Sequence, residues 1–331
     1  MDDSSIRVGP IEDNRGEINI AGRDVIKGLT AEQVSVLIAQ IRTTFQSKPF
    51  DGTCPYKGLD VFEEEDAGLF FGREADVEDL VRRVKESRIV FVAGPSGSGK
   101  SSLVRAGLIH ALRQGALKEL NSERWCYATM KPGREPLEAM ALLFSRLKSP
   151  ELADYFRQHL SQTSILNACV ESVLSEHEDQ RFVLLVDQFE EVFTQIRREE
   201  DRNAFLNVLT DAIAVENGRV ILLIAMRSDF VSNCAAHPVL NSLLGRNLAF
   251  KQIGAMQPEE LVSAIALPAK HVGLPIEDEL VARIINDMKG EPGALPLMQF
   301  ALKELFDSQQ AKGSVIALTL EDYLRRGGIR E

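Results

Sequence analysis

The chain has few cysteines, and its apolar runs are short. Its 331 residues include four scattered cysteines, Cys54, Cys126, Cys169 and Cys234, with no C-x-x-C pair and no histidine at metal-ligand spacing. In a chain of this length, such cysteines are typical of buried thiols in a reducing compartment and exclude a disulfide framework. Apolar runs such as Val220–Met226 are far too short to span a membrane.

Positive charge is also in short supply. The chain has 38 Lys and Arg residues against 49 Asp and Glu residues, which gives a formal net charge of −11 at pH 7. A protein that grips nucleic acid through its phosphates needs a basic face, so nucleic acid is a disfavoured partner. The first residues, MDDSSIRVGPIEDNRGE, are acidic and polar and do not resemble a signal peptide. These features predict a cytoplasmic protein with no membrane partner.

The N-terminal segment, residues 1–50, differs in pattern from the rest of the chain. Gly and β-branched residues between Gly16 and Gly28 predict a short β-element. Thr30 and Gln33 then stand in the positions of a capping box, and apolar residues follow at helical spacing from Val34. We expect an amphipathic helix here. The segment could be an adaptor for like segments or a tail docked on the rest of the chain.

Residues 51–256 alternate between helical and strand patterns. Apolar runs of the kind found in buried parallel strands predict strands at Ile89–Ala93, Trp125–Met130, Phe182–Val186, Arg219–Met226 and Leu248–Ile253. Helical spacing predicts helices after Glu74, after the glycine-rich turn that follows the first strand, near 136–147 and 164–176, and over Asn203–Val215. This alternation predicts an α/β fold with a parallel sheet covered by helices on both faces.

Residues 257–331 show helical periodicity with almost no strand pattern. Three helices are predicted, at Pro258–His271, Glu277–Lys289 and Ala294–Ser308. We therefore expect a small all-α domain after the sheet. The last residues, LTLEDYLRRGGIRE, have the pattern of a helix start and a Gly-Gly turn with no predicted element after them. We therefore expect the chain to be cut from a longer protein.

A phosphate-binding motif follows the first predicted strand. Gly94-Pro95-Ser96-Gly97-Ser98-Gly99-Lys100-Ser101 matches G-x-x-x-x-G-K-[ST], and Ser102 follows it at the start of a helix. Glycines let the backbone wrap a phosphate with its N–H groups pointing inward, and the helix N-terminus adds partial positive charge. Lys100 is predicted to reach the β- and γ-phosphates of a nucleoside triphosphate, and Ser101 to ligate Mg²⁺.

Carboxylates follow the strand predicted at Phe182–Val186. Asp187 is the expected second residue of the Mg²⁺ site, acting through the metal's hydration shell. Glu190 and Glu191 come three and four residues later, and either could polarise a water for attack on the γ-phosphate. The sequence does not choose between them.

Three further patterns are weaker. Arg227 ends the strand predicted at Arg219–Met226, at the edge where ligands bind in parallel sheets, and could sense the γ-phosphate or form a surface salt bridge with Asp229. The segment FFGRE, from Phe70, could fold over a base or simply start a helix. Pro296, in GALPL, could cap the nucleotide or stand at the first position of a helix.

Together, these motifs resemble the STAND class of signal-transduction ATPases, which is related to AAA+ proteins. The likeness is greatest to the bacterial novel STAND NTPases, which often carry β-propeller repeats downstream. It covers about Cys54 to the end of the chain, and its marks are CPYKGLDVFEEEDAGLFFGRE, GPSGSGKSSLVRAGL, VLLVDQFEEVF, LLIAMRSDF and GALPLMQFAL. The opening segment PYKGLDVFEEEDAGLFFGRE is more distinctive of that group than the phosphate-binding motif.

The resemblance implies a role for each matching residue. It places Gly72 and Arg73 on the adenine side, Lys100 and Ser101 in Walker A, and Asp187 with Glu190 or Glu191 in Walker B. It makes Arg227 the first sensor and Pro296 a contact to the base. It implies ATP or ADP with Mg²⁺ as ligands, self-association in the ATP state, and protein partners bound through a winged-helix and sensor region that the chain does not contain.

Three functions are compatible with these patterns. The first is a regulatory ATPase switch of slow turnover. The second is an AAA+ motor or loader that works on a polymer, which the acidic charge disfavours for DNA. The third is an interaction scaffold that is stabilised by nucleotide and does not hydrolyse it.

Overall fold

The computed structural model describes residues 30–42, 49–174, 179–246, 248–288, 293–311 and 317–328. The β-element predicted between Gly16 and Gly28 lies outside these residues. The predicted amphipathic helix is present as α1, Ala31–Arg42. Its capping box forms as expected, because the Thr30 amide donates to Gln33 Oε1 at 2.9 Å and the Gln33 amide donates to Thr30 Oγ1 at 3.2 Å.

A five-stranded parallel sheet forms the centre of the structure, in the order β2-β3-β4-β1-β5. Its strands are β1 Ile89–Gly94, β2 Cys126–Met130, β3 Phe182–Val186, β4 Val220–Arg227 and β5 Phe250–Gln252. The five predicted strands are all present, with bounds that differ by at most two residues. The prediction of a parallel sheet is confirmed.

Helices cover both faces of the sheet. They are α2 Glu74–Glu86, α3 Lys100–Ser102, α4 His110–Arg113, α5 Pro136–Leu147, α6 Pro150–Gln158, α7 Ile165–Val173, α8 Glu191–Thr194, α9 Glu199–Ala214, α10 Val231–Ala236 and α11 Pro238–Leu244. Successive side chains of β1 enter different cores, because neighbouring residues of a strand point to opposite faces. Phe91 packs in the core beneath α5 and α9, whereas Val90 and Val92 pack in the core beneath α2.

The helix predicted after the glycine-rich turn contains a π-helical segment. Residues Leu103–Ile109 lie between α3 and α4 in this wider form, and the His110 amide donates to the carbonyl of Arg105, five residues earlier. The sequence predicts only regular helical spacing here. Such π-helical turns are frequent at functional sites, because they re-aim side chains within a helix.

A helical bundle follows the sheet. It contains α12 Pro258–Val272, α13 Asp278–Asp287, α14 Leu295–Ala311 and α15 Leu320–Arg325. Helix α1 packs on α12 and α13, and its buried Val34 and Ile38 share one core with side chains of the bundle such as Ile265, Leu280 and Phe306. None of the helices in the described ranges is long and apolar enough to cross a membrane.

Candidate nucleotide-binding site

The glycine-rich loop between β1 and α3 has the backbone that a phosphate-binding loop requires. Gly97 and Gly99 have φ values of +71° and +83°, a region that residues other than glycine rarely adopt. The Leu103 amide donates to Gly99 O at 2.8 Å, so the helix begins directly after the loop. The N–H groups of the loop therefore lie at a helix N-terminus, where an anion is stabilised.

Lys100 lies across this loop. Its Nζ donates to Gly94 O at 3.0 Å and to Pro95 O at 2.7 Å. Burial lowers the pKa of Lys100, while the carboxylates of Glu190 and Asp187 act in the opposite direction. A partly desolvated ammonium group on this loop is well placed to bind phosphate oxygens.

Ser101 and Asp187 meet across the sheet, 86 positions apart in sequence. Ser101 Oγ donates to Asp187 Oδ1 at 2.9 Å, and Asp187 is only 2% exposed at the carboxyl end of β3. A hydroxyl and a carboxylate oxygen are ligands that Mg²⁺ prefers, and phosphates and water complete its shell in nucleotide sites. The donor set fits the Mg²⁺ ion that the motif implies.

The structure separates Glu190 from Glu191. Glu190 lines the cleft beside Lys100, and its Oε2 accepts from the Arg227 amide at 3.2 Å. Glu191 begins α8, and its Oε2 accepts from the Gly133 amide at 2.9 Å in the loop after β2. Of the two, Glu190 alone lines the cleft.

Arg227 lies at the end of β4 and lines the same cleft. Its side chain is 45% exposed and pairs with Asp229 at 2.7 Å, so the salt bridge foreseen as an alternative is present. The guanidinium also lies 5.6 Å from the ring centroid of Phe230. Hydrogen bonding to Asp229 raises the pKa of Arg227 and lowers that of the aspartate. Arg227 therefore both lines the cleft and forms a surface ion pair.

Arg73 is 4% exposed and braces the glycine-rich loop from behind. Its Nη2 donates to Ser98 O at 3.2 Å and to Gly254 O at 3.0 Å, and its Nη1 pairs with Asp76 at 2.9 Å. It also contributes to the lining of the cleft. Arg73 thus connects the loop to the segment that follows β5.

Gly72 packs tightly against the helical bundle. Its φ is +85°, and a Cβ there would lie 2.3 Å from the carbonyl oxygen of Glu260 in α12. The residue is therefore a close contact between the opening segment, residues 55–74, and the helical bundle. Among the described residues that form the cleft, Gly72 is not a lining residue.

The lining of the cleft that contains these groups has a polar part and an apolar part. The polar part consists of the glycine-rich loop, Asp187, Glu190 and Arg227. The apolar part is formed by side chains of the opening segment and of the bundle, which are Leu59, Val61, Phe62, Leu69, Phe70, Phe71, Met256, Leu295, Pro296 and Met298. A lining of both kinds suits a molecule that carries phosphates and a flat base.

The predicted site residues divide into two groups. Those that line the cleft are Arg73, Ser96, Gly97, Gly99, Lys100, Ser101, Ser102, Asp187, Glu190, Arg227 and Pro296. Those that shape it from outside are Gly72, Gly94, Pro95, Ser98 and Glu191. Most residues of the apolar part of the lining, including Leu59, Phe62 and Met256, were not predicted from the sequence. Its members come from segments far apart in the chain, and local patterns carry no signal for their convergence.

Comparison with known proteins shows the family to which the chain belongs. The family described as Novel STAND NTPase 1 matches the chain over residues 55–331. The chain belongs to this family. The resemblance inferred from the motifs is therefore confirmed, and this STAND protein is a P-loop NTPase. Comparison with curated proteins gives no match.

Solved structures show the same fold at low sequence identity. The Aeropyrum pernix ORC2 protein in its ADP form is 19% identical, has a TM-score of 0.58, and the match covers 79% of this chain and 69% of that one. The ORC2 protein in its ADPNP–ADP complexes is 19% identical, with a TM-score of 0.59 and coverage of 76% and 67%. The Aeropyrum pernix ORC1 protein in complex with DNA is 14% identical, with a TM-score of 0.57 and coverage of 80% and 67%. These likenesses concern the fold, which is that of AAA+ P-loop ATPases.

Proposed function

We propose that this STAND protein is a nucleotide-dependent switch in cytoplasmic signalling or defence, which binds ATP or ADP with Mg²⁺ and hydrolyses ATP slowly. The observation that carries the proposal is the 2.9 Å contact between Ser101 Oγ and Asp187 Oδ1 beside Lys100. It brings together the three groups that a metal-bound triphosphate requires. Mg²⁺ would neutralise charge on the phosphates when bound.

Hydrolysis needs a base or a water-positioning group near the γ-phosphate. Glu190 is the candidate that faces the cleft, because Glu191 is held by the Gly133 amide. Lys100 would offset negative charge on the β- and γ-phosphates. Arg227, whose amide donates to Glu190, would sense the γ-phosphate.

The helical bundle lies directly on the glycine-rich loop, which supports a switch. A Cβ at Gly293 would be 2.4 Å from Ser96 O, and one at Gly97 would be 2.7 Å from Gly293 O. Bound nucleotide would therefore be enclosed between loop and bundle, and its exchange would require the two to separate. We infer that separation exposes surfaces for self-association in the ATP state.

The proposal is tested by isolating the protein and identifying its bound nucleotide by mass spectrometry, followed by ATP-binding and phosphate-release measurements. Retained ADP, ATP binding that requires Lys100 and is strengthened by Mg²⁺, and turnover well below 1 per second are expected, since typical enzymes turn over at about 1–1000 per second. Lys100→Ala should abolish binding, whereas the exposed Lys118→Ala should not. Unchanged ATP binding by Lys100→Ala would refute the proposal.

A DNA loader is the alternative that the fold comparison brings forward, because one similar structure is an ORC1 protein in complex with DNA. The net charge of −11 opposes it. A titration of duplex DNA at several salt concentrations decides between the two. Tight binding with a steep salt dependence, together with ATP turnover stimulated by DNA, would favour the loader.

A further inference from the structure

Arg105 lies in the π-helical segment that follows the glycine-rich loop, and it contacts the carboxylate of the proposed metal site. Its Nη2 donates to Asp187 Oδ2 at 2.8 Å, and its Nη1 donates to Glu63 Oε1 at 2.5 Å. The Arg105 side chain is 16% exposed. It does not contribute to the lining of the cleft formed by the described residues. Its direct contact with the proposed site is the bond to Asp187.

Both oxygens of Asp187 have fixed partners. Oδ1 accepts from Ser101 Oγ and from the Gln188 amide, each at 2.9 Å, and Oδ2 accepts from Arg105. These bonds set the plane of a carboxylate that is almost fully buried. A buried carboxylate without a partner is costly, and the planar guanidinium can hold two carboxylates at once in fixed directions.

The same guanidinium reaches the opening segment. Glu63 directly follows Phe62, which belongs to the apolar part of the cleft lining. The Phe62 amide donates to Ser102 Oγ at 3.2 Å. Arg105 and Ser102 thus join this segment to the helix that carries the metal-binding hydroxyl. These two hydrogen bonds therefore connect the apolar part of the cleft lining with the helix of the proposed metal site.

We propose that Arg105 is a positioning residue, which orients Asp187 for Mg²⁺ and connects that carboxylate to the opening segment through Glu63. This inference rests on the proposed function. Hydrogen-bond partners of metal-binding groups typically change metal affinity by about 10- to 100-fold when they are removed. Arg105→Met should therefore raise the Mg²⁺ concentration for half-maximal ATP binding by about tenfold. Affinity for nucleotide in EDTA should change by less than about twofold, because the loop that binds the phosphates is untouched.

The experiment titrates Mg²⁺ into the full chain with a fluorescent ATP analogue at fixed concentration, and repeats the nucleotide titration in EDTA. Arg113→Met is the matched control, because Arg113 pairs with Glu64 at 2.7 Å and joins nearly the same two elements without touching Asp187. The control should leave the Mg²⁺ dependence unchanged. Arg105→Lys keeps the charge but not the fork and should resemble Arg105→Met.

Four results would overturn the proposal. They are an unchanged Mg²⁺ dependence in Arg105→Met, a shift to lower Mg²⁺, an equal shift in Arg113→Met, and full rescue by Arg105→Lys. If Arg105→Met does not fold, a smaller shift in the same direction is expected in Glu63→Gln, and none there would overturn the proposal. A wild-type protein that binds nucleotide without regard to Mg²⁺ would instead refute the proposed function.

Discussion

Replacement of Gly293 by alanine should loosen the helical bundle from the glycine-rich loop and speed the release of nucleotide. The new Cβ would lie 2.4 Å from Ser96 O, whereas ordinary van der Waals contact begins at 3.4 Å. The shortfall is about 1 Å, and the obstructing atom belongs to the backbone and cannot rotate away. Overpacking of this kind costs about 1–3 kcal/mol, and separation of loop and bundle relieves it.

The expected change in rate follows from that cost. A destabilisation of about 1.4 kcal/mol in the closed arrangement corresponds to a tenfold change in its equilibrium. Release of a fluorescent ADP analogue, measured by rapid mixing with excess ADP, should therefore be about tenfold faster in Gly293→Ala. The positive φ of +81° adds about 1–2 kcal/mol of backbone strain, which lowers stability whether or not the bundle moves.

Gly52→Ala separates the two effects. Gly52 has a φ of +87°, and nothing lies within 4 Å of the Cβ that alanine would add. This variant should lose only the strain contribution of about 1–2 kcal/mol in urea unfolding and release nucleotide at the wild-type rate. A release rate in Gly293→Ala within twofold of wild type, or an equal increase in Gly52→Ala, would show that the contact with Ser96 does not restrain the nucleotide.

Three further predictions concern separate parts of the molecule. Glu190→Gln should reduce phosphate release from ATP by about 100-fold or more while ATP still binds, and Glu191→Gln should remain within a few-fold of wild type; the reverse order would reassign the base. Val34→Asp should lower the free energy of unfolding in urea by about 3 kcal/mol, because it buries an unpaired charge, whereas Val36→Asp, at a position 58% exposed, should change it by less than about 0.5 kcal/mol. Burial raises the pKa of Asp79, but hydrogen bonds from three basic side chains outweigh it and hold the pKa below its ordinary range, so Asp79→Asn should cost about 1–3 kcal/mol at pH 7. That cost should shrink below about pH 4, as the unfolded and then the folded carboxyl take up a proton, and a cost that is equal at pH 7 and pH 3 would contradict this origin.

The phosphate side of the site could be predicted because it is written in short, continuous segments. The glycine-rich loop follows a buried strand and opens a helix, so Lys100 and Ser101 are placed by local structure alone. Asp187 follows from a single topological rule, since the carboxyl ends of parallel strands border the ligand crevice. The 2.9 Å contact between Ser101 and Asp187 is the spatial form of that rule.

The choice between Glu190 and Glu191 needs the structure. The two residues are adjacent at the start of α8, where one step turns a side chain by about 100° around a helix axis. One of them therefore meets the cleft while the other meets Gly133. Their identical chemistry gives the sequence no means of deciding which.

The base side could not be assembled from the sequence, because its contacts join distant segments. The Lys57 amide donates to Gln299 Oε1 across 242 positions, and Tyr56 Oη donates to Ile265 O across 209. The role of Arg105 is hidden for the same reason, since its partners lie 42 and 82 positions away. Helix α6 was not predicted, although local signals for it exist. Ser149 is its N-cap and Pro150 its first residue, and both residue types favour the start of a helix.

The position of Arg73 bears on where the closed arrangement can open. The guanidinium bonds Ser98 O in the glycine-rich loop and Gly254 O just after β5, so the sheet-side end of the connection to the bundle is anchored to the loop. The bundle-side end is fixed at Pro258, where α12 begins, and Glu260 meets the opening segment at Gly72. Only residues 255–257 lie between these anchors. If the bundle swings away from the nucleotide while Arg73 keeps its bonds, the bend must fall in those three residues, and the contacts at Gly72 and Gly293 must both break.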